Sequence, residues 1–65
     1  MAQGYTRQVR RILKENGCVL ARYGKGDHEV WHCPNVNRPV VVDGKIMSRV
    51  TAQAVLKQAG LNVKI

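Results

Sequence analysis

The stretch Gly17-Cys18-Val19-Leu20-Ala21-Arg22-Tyr23-Gly24-Lys25-Gly26-Asp27-His28-Glu29-Val30-Trp31-His32-Cys33-Pro34 decides the fold. Two runs of strand-forming composition, Cys18–Tyr23 and His28–Cys33, flank the turn Gly24-Lys25-Gly26-Asp27. Glycines on either side of a lysine supply the backbone freedom that a tight reversal needs, so the segment reads as a β-hairpin.

Upstream of Gly17 the apolar period changes. Val9, Ile12 and Leu13 recur at helical spacing, with Arg7, Arg10, Arg11 and Lys14 between them. This is a short amphipathic helix with a basic outer face, with Thr6 expected as its N-cap and Gly17 just past its end. Downstream, Pro34-Asn35-Val36-Asn37 makes a second turn. Arg38–Val42 makes a third strand, in which Pro39 belongs near the start or on a sheet edge. Asp43-Gly44-Lys45 forms a further turn. A second helix follows from Ser48 or Arg49 through Ala59, ended by Gly60, with Val50, Ala54, Val55 and Ala59 expected to face inward. Leu61–Ile65 is a short extended tail. The order α-β-β-β-α implies an α+β fold, a three-stranded antiparallel sheet with two helices on one face, formed by residues 1–65 as one domain.

Size and charge bound the function. A 65-residue domain buries only about 60% of the surface its unfolded chain exposes, which leaves no room for a deep cavity or a cofactor lobe. Chemistry is expected on an open surface, without a bound cofactor. With 11 Lys+Arg against 4 Asp+Glu, the net charge is +7 and the pI near 10.1. Such a balance favours polyanionic partners: nucleic acid first, then an acidic membrane surface or an acidic protein. No apolar run approaches the ~18 residues of a membrane helix, and Met1–Thr6 lacks the apolar core of a signal peptide. Cys18 and Cys33 form neither a dense disulfide framework nor a CxxC pair, so free thiols in a reducing cytoplasm are the simplest expectation.

The chemistry-bearing residue is His28, the start of the return strand. Histidine is the side chain whose ordinary pKa lets it exchange a proton near neutrality. Metal chemistry is not expected of it. His28 and His32 share a strand face but stand about 13 Å apart at 3.3 Å per residue, and neither cysteine completes a standard ligand pattern. RNA offers a route that needs no metal, because its own 2′-hydroxyl can attack the adjacent phosphate. The protein then supplies a base and cations for the charge that develops. His28 can be the base and Lys25 the cation, with Arg22 and Lys45 as weaker candidates. Trp31 is expected to pack in the core, and His32 to lie on the surface of its strand.

The segments GKGDHEVWHCP, VDGKIMSR and VTAQAVLKQAGL, in this order of elements, resemble the HicA toxin family. The resemblance runs from about Val9 to Leu61. It implies a fold like a double-stranded RNA-binding domain and a metal-independent mRNA interferase activity. It further implies a single catalytic histidine after a glycine-rich turn, the place His28 occupies, and a HicB antitoxin that binds the toxin and blocks that histidine. Two positions depart from the family pattern. Asp27 stands where many members carry serine; it either orients the imidazole or caps the turn, the second being favoured because adjacent strand residues point to opposite faces. Val50 stands where members often have histidine.

The expected function is therefore a cytoplasmic, metal-independent mRNA endoribonuclease toxin. His28 is its acid–base residue, and Lys25, Arg22, Lys45, Arg7, Arg10, Arg11 and Lys14 bind phosphate. The alternative is a non-catalytic RNA-binding module of the same fold, which needs the basic residues but no poised histidine. A third reading is an interaction domain whose charge matches an acidic protein.

Overall fold

The computed structural model describes residues 4–65. The expectation drawn from Met1–Thr6 therefore rests partly on residues outside that range. Five elements follow one another as α1 (Thr6–Glu15), β1 (Val19–Tyr23), β2 (Glu29–His32), β3 (Val40–Val42) and α2 (Arg49–Gln58). The strands form one antiparallel sheet in the order β1-β2-β3. This is the α+β architecture expected from the sequence.

The register explains which face holds the core. Trp31 pairs with Val40 and Glu29 with Val42, whereas Val30 pairs with Val41. Trp31, Val40 and Val42 are buried together with Val9, Ile12 and Leu13 of α1 and Ala52, Val55 and Leu56 of α2. Val41, on the other face, is 49% exposed. Both helices thus cover one face of the sheet and leave the other open. Strand β1 is exposed along its whole length, and its register shifts between Leu20 and Arg22.

Three local expectations are corrected. Thr6 is the first helical residue and not the cap, since Tyr5 occupies the N-cap without a capping side-chain bond. The Thr6 hydroxyl is used elsewhere: it accepts the Ile46 N–H at 2.8 Å and donates to the Asp43 carbonyl at 3.3 Å. With the Tyr5 N–H on the Ile46 carbonyl, these bonds fasten the start of α1 to the 43–46 turn. The second correction concerns the phase of α2. Ser48 caps that helix as expected, accepting from the Val50 N–H. Its buried face, however, is Ala52, Val55, Leu56 and Ala59, while Val50 and Ala54 face solvent. The inward set follows i, i+3, i+4, i+7 from Ala52, one consistent stripe.

The third correction concerns the cysteines. Cys18 and Cys33 are joined as a disulfide, with Cα atoms 4.2 Å apart. Extending the β1–β2 register by one pair beyond Val19↔His32 sets the two directly opposite each other. Both are buried in the core. The expected pair of free thiols is therefore a covalent closure at the root of the hairpin. Among the described residues no helix is long and apolar enough to cross a membrane.

Candidate active site

The hairpin turn builds the site. The Gly24 N–H bonds to the His28 carbonyl at 2.8 Å, and the His28 N–H to the Lys25 carbonyl at 3.2 Å. Gly26 at the tip has a φ of 65°, which an L side chain rarely adopts. His28 leaves this turn with its side chain 47% exposed, so the imidazole is open to a large ligand.

A second turn meets the first. Asp43 and Gly44, at the end of β3, lie against Asp27. A Cβ placed on Gly44 would stand 2.7 Å from the Asp27 carbonyl oxygen and 2.9 Å from its Cβ. Only the absence of a side chain at Gly44 permits this approach. The contact carries the Asp43 carboxylate to His28, with Oδ2 at 3.8 Å from Nε2. That separation is electrostatic contact and not a hydrogen bond. The other oxygen, Oδ1, accepts the Lys45 N–H at 2.9 Å, which fixes the carboxylate.

Asp27, His28 and Asp43 each offer a potential ligand atom, and these lie within 4.8 Å of one another. Among the described residues it is this trio that brings metal-ligand types together. His32 and the two cysteines take no part. The trio is exposed, and two of its members are carboxylates, so the imidazole stands among negatively charged neighbours.

The sequence-predicted cations fall into three groups. Lys25 and Lys45 are exposed on the two turns that frame His28. Arg7 and Arg11 are exposed on α1, and Lys14 lies at its far end. Because Thr6 is bonded to the 43–46 turn, the Arg7 end of α1 is the end nearer His28. That end has no acidic residue in its first turn, so its positive dipole is uncompensated. Arg22 pairs with Val30 on the open sheet face, away from the helices.

Arg10 stands apart from these. Its guanidinium grips Glu29 through both nitrogens, Nε at 3.1 Å from Oε1 and Nη2 at 2.5 Å from Oε2. The Trp31 indole N–H donates to the same Oε1 at 3.0 Å. Burial by itself pushes the Glu29 carboxyl up. The hydrogen bonds from Arg10 and Trp31 and the charges of Arg10 and Lys14 outweigh it, holding the group below the ordinary carboxylate value. Arg10 is thus a structural partner of a buried acid. Trp31, at 2% exposed, is the packing anchor expected of it.

Two residues of the site were not singled out from sequence. Asp43 gave only a turn signal, since nothing local says that it reaches a histidine on another turn. Tyr23 ends β1 beside the hairpin turn and is 72% exposed. An aromatic ring that stays in water at the end of the hairpin's first strand offers a stacking surface for a base.

Comparison with known proteins adds the family. Neither a curated protein nor a solved structure matches the chain. A family model described as "HicA toxin of bacterial toxin-antitoxin" does match, over residues 6–61. That range spans all five elements, both turns around His28 and the Gly60 that ends α2. The chain belongs to the HicA toxin family of bacterial toxin–antitoxin systems.

Proposed function

We propose that this toxin is a metal-independent endoribonuclease that cuts mRNA, with residues 1–65 acting as one HicA domain and His28 as its proton-transfer residue. The observation that carries the reading is the exposed His28 imidazole beside the Asp43 carboxylate, at the junction of two lysine-bearing turns. Asp43 faces Nε2, so Nδ1 is the nitrogen left for substrate.

In the reaction, Nδ1 takes the proton of an RNA 2′-hydroxyl as its oxygen attacks the adjacent phosphorus. The bond from phosphorus to the 5′ oxygen breaks. The products are a 2′,3′-cyclic phosphate and a free 5′-hydroxyl, whose proton comes from solvent at this open site. Asp43 stabilises the imidazolium formed when the proton arrives, as the carboxylate does in hydrolase triads. Lys25 and Lys45 offset charge on the phosphate oxygens as it builds. Arg7, Arg11, Lys14 and Arg22 hold more distant phosphates, and Tyr23 stacks on a base. A base of this kind contributes about 10²–10⁴ in rate.

The family implies an antitoxin, and we take it to be a HicB protein that covers His28. The site faces water on a convex turn, so a partner that masks the histidine also denies it to RNA. Translation and growth would stop when the partner is lost.

The test is cleavage of a defined single-stranded RNA in EDTA by wild-type and His28→Ala protein purified in parallel. Cleavage by wild-type alone, leaving cyclic-phosphate ends, is the expected result. Salt-sensitive binding without cleavage by either protein would replace this reading with the non-catalytic RNA-binding module.

A further inference from the structure

A second surface, which His28 does not line, lies where the chain after Gly60 runs back along α2. It forms an open groove of about 550 Å³. Val50, Leu61 and Ile65 give it an aliphatic floor, and Arg49, Lys57 and Lys64 stand around that floor. The wall is fixed. Gln53 donates to the Val63 carbonyl and accepts the Ile65 N–H at 3.3 Å, so one side chain pins the extended segment to the helix.

Two properties of the groove have no use in the proposed RNA chemistry. Val50 is 77% exposed, in a place where nothing among the described residues covers it. And from Ile46 to Ile65 the sequence contains no acidic residue. The three cations around the floor therefore have no acidic side chain within their own element or in the segment beside it.

We propose that this groove is a docking site for an acidic, aliphatic peptide segment of a partner protein. The aliphatic floor takes Leu, Ile or Val side chains. The ring of cations takes carboxylates, which steer and orient the segment. Arg49 and Lys57 are about 12 Å apart along the helix at 1.5 Å per residue, the length of two turns of a docked helix. The surroundings favour protein over RNA as occupant. No aromatic side chain lines the groove, so bases have nothing on which to stack, and an exposed valine contributes nothing to a phosphate. The inference does not rest on His28 or on ribonuclease activity.

The experiment measures binding of a fluorescein-labelled peptide of Glu and Leu at amphipathic helical spacing, by anisotropy at moderate salt. A Gln-for-Glu peptide and a single-stranded RNA oligonucleotide serve as comparison probes. The acidic peptide is expected to bind wild-type and His28→Ala protein alike. Lys57→Glu/Lys64→Glu and, separately, Val50→Asp should each weaken it at least tenfold, with melting curves showing that both variants fold. Lys57→Gln/Lys64→Gln should weaken it by a smaller factor. Arg7→Glu/Arg11→Glu, the same change in net charge on α1, should weaken it much less than the groove pair. Equal loss from the two charge reversals would overturn the proposal, as would equal binding of the Gln peptide or absence of binding. A selective loss of RNA binding in the groove variants would overturn it too, by assigning the surface to nucleic acid.

Discussion

Asp43 Oδ2 stands 3.8 Å from His28 Nε2, although the two residues belong to different turns and the chain between them crosses the sheet. In the proposed reaction the carboxylate acts on the imidazole and not on the RNA. Asp43→Asn keeps an oxygen for the Lys45 N–H but removes the negative charge beside the imidazole. Cleavage should fall about tenfold, or ~1.4 kcal/mol of barrier, while RNA affinity holds or rises. The loss should appear in kcat and not in KM, a split that a merely structural role would not produce. An unchanged kcat would remove Asp43 from the mechanism.

Gly44→Ala tests the contact between the turns. The new methyl would meet the Asp27 backbone at 2.7 Å, a distance that forces one turn to move. A stability loss of about 1–3 kcal/mol is expected from overpacking of this kind. Activity should fall by more than that loss explains, because the shift carries Asp43 away from His28. Wild-type cleavage in Gly44→Ala would mean that the proximity of the turns is irrelevant to catalysis.

Arg10 and Glu29 divide stability from RNA binding. Glu29 is held below its ordinary value in the folded protein. Its contribution is therefore fully present above the unfolded-state value of about 4.3, and is lost as pH falls through the lower folded value. Urea unfolding followed from neutral to strongly acidic pH should show this decline, and Glu29→Gln should flatten it. Arg10→Ala leaves the buried carboxylate without its main partner and should cost about 2 kcal/mol. Its RNA-binding salt slope should stay near that of wild-type, whereas Arg11→Ala should lower the slope by about 0.7, one phosphate's worth on a single strand.

Tyr23→Ala should weaken binding of a single-stranded oligonucleotide by about 1–3 kcal/mol without changing melting temperature, since the ring is 72% exposed. Tyr23→Phe should restore the affinity. Failure of phenylalanine to do so would assign the effect to the hydroxyl and not to stacking.

The architecture was legible because it rests on local signals. Glycine and proline punctuate this chain at the element ends, and Val9, Ile12 and Leu13 declare the inner face of α1 without ambiguity. In α2 the apolar residues run too densely to fix a phase: Val50, Ala52, Ala54, Val55, Leu56 and Ala59 permit more than one stripe. The packing against β3 chose among them. His28 was legible as a proton-transfer candidate from its turn and from the family resemblance. Asp43 was not, because its meaning comes from a contact with another turn. Arg10 likewise looked interchangeable with Arg7 and Arg11 until the sheet delivered a buried glutamate to it. Cys18 and Cys33 carried no recognisable spacing, and only the hairpin register sets them opposite each other.

The closure at the hairpin's root has a measurable weight. Cys18 and Cys33 are 15 residues apart in sequence, and a loop of that length gains about 3 kcal/mol from cross-linking in the chain-entropy account. A reductant should lower the urea midpoint accordingly, and Cys18→Ser/Cys33→Ser should match the reduced protein. A midpoint indifferent to reductant would show that the bond adds nothing to stability.

That bond also makes the hairpin a closed covalent ring, with the exposed Lys25 turn and His28 near the part farthest from the sulfur bridge. A protease that cuts after Lys25 opens the ring without dividing the molecule. The two pieces stay tethered through sulfur and paired through the β1–β2 ladder, and they separate only when the bridge is reduced. A cut at this exposed turn would therefore divide the toxin only with a second, reductive step.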